Sequence, residues 1–430
     1  MSKIDYDAPA GIYRSPRSIS RSWRSCQRLT FTRFPSLAEA IKNAVEDKRE
    51  PSGFISIETS DGDLDAVAGS YDVDLEQRFG FQFMRFREGG GVYYYENRGD
   101  TFASTRLAEK SQALAVAFAD LNQDGKPYIL VGNDFSTLDQ AWQQTNDGWR
   151  KAHPFSVTTH STMSFDLGDI DNSGHPALFA TDMKPYDQSV RTLARWRPMM
   201  ERMPHDTFVG DPQIMENVLQ VRDRTGIYHN EAYAHSLDAT GWSWSAKFGD
   251  LDNDGHLDLY VVNGMLAADL FDYLPGHELV EENRAFRNQG NGMFRLMPGW
   301  GLGSKRSGRG MSMADLDGDG KLDIVVNNLE RPAQVFENRL CGGSGLEVDL
   351  GWPESKNTRA IGARLVLRTS AGNYYRDVRA SSGYLSGDPA RVHFGFPADT
   401  KLDRLEIQWP DGTQSNVDGL APQTHVAITR

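Results

Sequence analysis

Residues 241–264 read GWSWSAKFGDLDNDGHLDLYVVNG, and the reading of this stretch decides the fold. At its centre D-L-D-N-D-G-H-L-D sets carboxylates at Asp250, Asp252, Asp254 and Asp258 around Gly255. Alternating carboxylates about a sharp glycine turn form an all-oxygen cage that suits a hard cation of calcium's size. A helix–loop–helix calcium hand would need a bidentate Glu at the twelfth loop position and helices on both sides. Val261 stands at that position, inside Leu-Tyr-Val-Val, which is the composition of a buried strand. The loop joins two strands.

The pattern recurs. SGRGMSMADLDGDGKLDIVVNN at 307–328 carries Asp315, Asp317, Asp319, Gly320 and Asp323. LAVAFADLNQDGKPYILVGND at 114–134 keeps Asp120, Asn122, Asp124 and Gly125, with Tyr128 in the last ligand position. MSFDLGDIDNSGHPALFATD at 163–182 keeps Asp169, Asp171, Ser173 and Gly174, with Ala177 last. The faintest copy, FISIETSDGDLDAVAGSYD at 54–72, retains Asp61, Gly62 and Asp65. Five copies spaced by roughly 50 to 80 residues imply an array of like units.

Between the loops fall aromatic segments that turn at Asn or Gly: YYYENRGDTF at 93–102, WQQTNDGW at 142–149, IYHNEAY at 227–233 and FRNQGNGMF at 286–294. These are tight-hairpin signals. One unit is then strand, loop, strand and hairpin, and four-stranded units that close radially make a β-propeller. The strand entering each loop alternates bulky and small residues: Trp244, Ala246 and Phe248 on one face, Ser245, Lys247 and Gly249 on the other. That period puts the first set between blades and points Lys247, like Asp166 of its own unit, toward the axis.

Three stretches interrupt the array. PSLAEAIKNAVEDKR at 35–49 reads as a helix, with Ser36 and Glu39 spaced as a capping box. An insertion at 184–224 has a helical portion at SVRTLARWRPMMERM, and 265–285 predicts two short helices broken near Pro275-Gly276. After 340 the calcium loops stop and six strand-like segments follow, a small β-sandwich. The expected organisation is a partly helical 1–50 segment, a propeller over 51–340 and a β-domain over 341–430.

Totals narrow the function classes. A net charge of −13 over 430 residues argues against nucleic-acid or anionic-membrane partners. No apolar run reaches the about 20 residues of a membrane helix. The N-terminal stretch has no apolar core of a signal peptide, so either the protein is intracellular or an export signal lies outside this sequence. Cys26 and Cys341 allow one bridge or none.

The repeats resemble the FG-GAP/VCBS-type calcium propellers of integrin α-subunit heads and many bacterial surface proteins. The tail resembles the ASPIC/UnbV domain through Asn357, Ala360-Ile361-Gly362-Ala363, Ser382-Gly383-Tyr384-Leu385-Ser386, His393-Phe394-Gly395 and Trp409-Pro410-Asp411-Gly412. Propeller followed by tail is the order of the cartilage acidic protein/UnbV family. The resemblance implies an all-β chain: a propeller of five to seven FG-GAP-type blades with helical insertions, then the β-domain. It implies export to an extracellular, periplasmic or cell-surface location, and no settled activity.

Structural calcium is the reading for Asp250/Asp252/Asp254/Asp258 and Asp315/Asp317/Asp319/Asp323, because such close carboxylates repel without a cation. It extends to Asp120/Asn122/Asp124 and Asp169/Asp171/Ser173, while Asp61 and Asp65 read as a plain turn. A cage filled by protein oxygens leaves no open position for chemistry. Function is therefore expected on the opposite rim, where Ser70, Asn133, Asp182, Asn263 and Asn328 end the second strands beside His160, Trp242, Trp244 and Arg309. The plainer reading of those polar residues is strand termination by Asx-turns. Arg98-Gly99-Asp100 falls on a hairpin, so an integrin-ligand role for it is coincidental.

Two functions follow. The first is a calcium-stabilised binding protein that recognises a protein or glycan by that rim. The second is a secondary-metabolite enzyme or accessory protein, suggested by the enediyne-cluster origin of the UnbV name. It would act on a small-molecule substrate with Arg309, His160, Asp182 and Trp242 as its catalytic candidates.

Overall fold

The computed structural model describes residues 63–430 apart from 72–89, 100, 136, 202–209 and 266–267, together with strand segments 13–14, 30–31 and 53–58. The expected 35–49 helix, Asp61, Asp100 and Cys26 lie outside these residues. Among the described residues the chain is all-β, with five blade-like sheets ahead of the tail.

The first sheet runs Gly53–Glu58, Asp65–Ser70, Val92–Asn97 and Phe102–Ala108, and the second Ala113–Ala119, Tyr128–Asn133, Gln140–Thr145 and Gly148–Ala152. The third is Ser164–Gly168, Ala177–Thr181, Val218–Arg222 and Tyr228–Asn230. In the fourth, Gly241–Gly249, Asp258–Asn263, Arg284–Asn288 and Phe294–Leu296 are joined by Met183–Lys184, which pairs with Trp242 and Gly241. The fifth has three strands, Gly308–Ala314, Asp323–Asn328 and Arg331–Phe336. The four-strand unit read from the sequence thus gains a strand in the fourth sheet and loses one in the fifth.

The alternation in the entering strands has a sharper cause than a crowded axis. A Cβ on Gly168 would stand 2.9 Å from Phe248 of the next sheet, and one on Gly249 would stand 2.7 Å from Met313 of the sheet after that. The small residues make room for the neighbouring blade's bulky ones, at packing distances no side chain could share. Phe248 in turn buries itself with Phe179, Leu219 and Leu259.

Hairpin side chains stitch the blades together. The Asn288 Nδ2 donates to the loop carbonyl of Leu257 in its own blade at 3.2 Å and to Ile170 of the preceding blade at 2.7 Å. Asn338 repeats this one blade on, donating to Leu322 at 3.0 Å and Leu251 at 2.7 Å. In the third sheet the Tyr228 hydroxyl plays the part, reaching Pro176 at 3.2 Å and Leu121 at 3.0 Å. Buried carbonyls need such partners, which explains an Asn or Tyr at the hairpin base.

The 184–224 insertion contains the helix Val190–Met200, whose Ser189 cap accepts from the Thr192 amide at 3.3 Å. Its Trp196 and Met199 pack over Trp242 and Phe271. The 265–285 stretch forms two short helices as expected, both 3-10, at Ala268–Phe271 and Pro275–His277. Gly276 at φ 75° stops the second.

From Ser344 onward strands pair only with one another, as a three-stranded and a four-stranded sheet. Leu346, Phe394, Phe396, Leu405, Ile407 and Trp409 fill the space between them. This tail sits on the loops. A Cβ on Gly395 would be 2.2 Å from Asp250 Oδ2, and Gly343 and Gly345 press on the carbonyls of Asn253 and Gly320.

Candidate functional site

Four of the loops share one backbone. The third residue after the first Asp is left-handed, at φ 61° for Gln123, 55° for Asn172, 54° for Asn253 and 81° for Gly318. So is the fifth, at 77° for Gly125, 86° for Gly174, 95° for Gly255 and 80° for Gly320. This double left-handed turn folds the chain back so that amides converge on the first carboxylate. Asp250 accepts from the Asp254 and Gly255 amides at 3.0 and 2.9 Å. Asp315 accepts from Asp319 and Gly320 at 3.1 and 2.9 Å, Asp120 from Asp124 and Gly125 at 3.2 and 3.0 Å, and Asp169 from Ser173 and Gly174 at 3.0 and 2.8 Å.

The ligand sets differ on this common frame. Asp250, Asp252 and Asp254 bring oxygens within 4.8 Å of one another, as do Asp315, Asp317 and Asp323. Asp258 and Asp319 stand outside these two triads, and Asn122 and Ser173 replace a carboxylate in the loops with fewer acids. Asp258 has a second duty: its oxygens accept from the Leu251 amide at 2.9 Å and the Asn288 amide at 2.9 Å. Asp323 does the same with Leu316 at 3.0 Å and Asn338 at 2.7 Å. In the first blade Asp65 accepts from Tyr94 Oη at 2.7 Å and the Asn97 amide at 2.9 Å, the same staple.

Burial raises these carboxyls. Asp250 is pushed up to about 7, chiefly by desolvation and further by Asp254 and Asp252, with Arg376 opposing. Asp169 also rises to about 7 through burial and its neighbour Asp171. Asp258 stands well above the usual range, by burial and then by the charges of Asp250 and Asp252. Arg287, which the sequence reading did not single out, bridges Asp252 at 2.6 Å and Asp254 at 2.8 Å. Even so, the Asp252 Oδ1 is buried with no hydrogen-bond partner. A divalent cation held by oxygen ligands fits this donor set in the fourth and fifth loops.

The polar residues of the opposite rim are buried in the fold. Ser70, Asn133, Asp182, Asn263 and Asn328 are each at most 4% exposed. Asp182 accepts from the His160, Ser161 and Met183 amides at 2.8, 2.9 and 2.6 Å. The Asn263 Nδ2 donates to Thr240 and Glu282 carbonyls at 2.7 and 2.8 Å, and Asn133 accepts from the Gln112 amide at 2.7 Å. Among the catalytic candidates, His160 and Asp182 adjoin through backbone, and Trp242 lies buried under Phe271 with ring centroids 5.6 Å apart. Arg309 lies elsewhere, over the Trp244 ring at 4.0 Å, donating to the Gly308 carbonyl at 2.8 Å.

What packs against the inner strands is the tail's own chain. Arg379 pairs with Asp166 at 3.1 Å, and Lys247, 1% exposed, pairs with Asp388 at 2.8 Å. Between them the Gly383 amide donates to the Phe165 carbonyl at 3.0 Å, the Tyr384 amide to Ser245 Oγ at 3.1 Å, and Tyr384 meets the Trp244 ring at 4.9 Å. The two charges that strand period places on the small-residue face find their partners here. Nothing local in the SGYLSG run discloses that it threads along the inner strands of the third to fifth blades.

In comparisons with known proteins the chain matches the FG-GAP-like repeat over residues 59–131, 120–180 and 274–326, and ASPIC and UnbV over 353–430. It is 33% identical to cartilage acidic protein 1 of Xenopus tropicalis across 37% of this chain and 27% of that protein. For cartilage acidic protein 1 of Homo sapiens the identity is 30%, over 38% of this chain and 24% of that protein. The match thus spans about a quarter of the length of these curated relatives. The solved V. cholerae biofilm matrix protein Bap1 aligns over 87% of this chain and 60% of its own, at 13% identity and a TM-score of 0.35. Among the described residues no helix is long and apolar enough to cross a membrane.

Proposed function

Taking as premise that this chain is an FG-GAP-like repeat protein closed by an ASPIC and UnbV domain, we propose that it is a calcium-stabilised binding protein. It is exported or surface-associated and recognises a protein or glycan on the side opposite the loops. The observation that carries this reading is the pair of aspartate triads on one repeated backbone, one of them with a buried carboxylate oxygen that the protein leaves without a donor. Oxygen-only sites of this kind are filled at extracellular calcium levels when their affinity is modest. The ions serve structure: they neutralise loops on which the tail rests.

The rim residues themselves are committed to the fold, so contact with a partner falls to what covers them. The helix Val190–Met200 turns Val190 and Leu193 outward at 84% and 41% exposure, beside Arg191 and Arg197. An apolar and basic strip on a surface insertion is a reasonable recognition element.

Calorimetric titration of the metal-free protein with calcium tests the first half. Uptake at two or more sites is expected, lost in Asp252→Asn/Asp317→Asn; no heat would sink the proposal. Glycan arrays and a panel of purified extracellular proteins test the second. Binding by the parent that disappears in Leu193→Glu supports recognition by this side, and binding unaffected by Leu193→Glu refutes it.

A further inference from the structure

Between the second and third blades lies a cavity of about 440 Å³. Its walls come from the strands Tyr128–Asn133 and Gln140–Thr145 on one side and Ser164–Gly168, Ala177–Thr181 and Val218–Arg222 on the other. The crossing segment 153–159 roofs it. Leu130, Ala141, Phe155, Phe165, Leu178 and Val218 give it an apolar body. The volume falls in the range of small-molecule sites.

Three polar atoms in this lining are buried and find no partner in the protein: Gln140 Oε1, Thr158 Oγ1 and Gln220 Oε1. They come from three separate segments, and Gln220 is only 2% exposed. Their orientation is held from behind. The Gln220 Nε2 donates to the Val157 carbonyl at 2.6 Å, and the Gln140 Nε2 to the Lys110 carbonyl at 3.5 Å. Rotating either amide would set oxygen against oxygen, so both amides present acceptors inward. An unpaired buried acceptor is costly, and natural folds leave few. Three facing one apolar cavity point to a ligand that supplies the donors.

Charge narrows the ligand further. Lys110, Lys151 and His153 line the cavity and disfavour a cation. Asp139, which accepts from the Asn133 amide at 2.8 Å and Thr162 Oγ1 at 2.8 Å, joins the amide oxygens in disfavouring an anion. We propose that this cavity binds a neutral small molecule with an apolar ring and two or more hydroxyl donors, held by Gln140, Thr158 and Gln220. The site is separate from the calcium loops and from the helix Val190–Met200, so it stands or falls apart from the proposed function.

The test uses the full chain with calcium and three matched probes: 4-(hydroxymethyl)phenol, its dimethyl ether, and p-xylene. Ligand-detected saturation-transfer NMR and calorimetry should show the diol binding and the ether, which keeps the shape and loses the donors, at least about tenfold weaker. Thr158→Val removes a hydroxyl that no protein group uses, so the melting temperature should hold or rise while the diol weakens about five- to tenfold. Ala141→Leu, which fills the cavity, should abolish diol binding. No diol binding overturns the proposal, because the cavity then holds water alone. Binding of p-xylene as tight as the diol also overturns it, as does diol affinity unchanged in Thr158→Val.

Discussion

The strand Gly241–Gly249 and its partner Asp258–Asn263 end in two regions of opposite character. At the loop end, Asp250, Asp252 and Asp254 crowd together with Arg287 as their nearby cation, and one carboxylate oxygen is left over. At the rim end Asn263 and Asp182 are answered donor by acceptor, and Glu281 accepts the Trp242 amide at 2.6 Å. One end has more negative charge than the protein itself balances; at the other Asn263 and Asp182 are answered, while the Trp242 indole N–H and the Asn328 Oδ1 are buried without a partner. Polar residues recurring at one blade position therefore carry different meanings at the two ends. Recurrence marks geometry, and only an imbalance of donors and acceptors marks a place for something from outside.

The largest expected effect would break this contrast at once. Chelation should destabilise the protein by about 3 kcal/mol for each site held at a hundredfold excess over its Kd, on the order of 5 kcal/mol for two. Thermal melts in calcium and in EDTA read it directly, and equal melts would place both ends in the same class. Next, Asp250→Ala should cost about 3 kcal/mol and Asp120→Ala about 1 kcal/mol by denaturant titration, since both lose two amide bonds but Asp250 is buried under the tail. Equal costs would mean that tail docking adds nothing.

At the rim, burial pushes Glu281 up to about 7. The folded state thus holds that proton more tightly than the unfolded chain. Its stabilising contribution is whole near pH 4 and is lost as pH rises through about 7. Glu281→Gln keeps the acceptor for Trp242 without the charge, so its stability relative to the parent should improve by about 2 kcal/mol between pH 5 and pH 8. A pH-independent difference would show that Glu281 is not the charge burdening this end. The smallest effect concerns the outer helix: Leu193→Glu should change stability by less than about 0.5 kcal/mol, measured by melting, so any loss of binding reports recognition.

Much of this was legible early. The Asp-x-Asp-x-Asp-Gly spacing disclosed strand–loop–strand units, and period two placed Asp166 and Lys247 on the axial face. The helix at 190–200 followed from the helical stretch SVRTLARWRPMMERM, while its Ser189 cap was not read from the sequence. Less legible were Arg287, drawn to the loop from the third strand of its blade, and the stitching Asn288 and Asn338; the Asn-x-Gly context of Asn288 signalled only a turn. The rim residues were read as a mouth because sequence shows that a side chain is polar, and not whether its bonds are already made.

Sequence alone determined the all-β class, the repeat, the loop backbone and the candidate cation ligands, because each rests on neighbours a few residues apart. Tertiary structure decided what packs on the inner strands and where the tail sits. The Lys247–Asp388 and Arg379–Asp166 pairs join positions 141 and 213 residues apart. Gly395 is a glycine because Asp250 occupies its side-chain space. Such contacts depend on how whole sheets stack, and no local period or propensity encodes them.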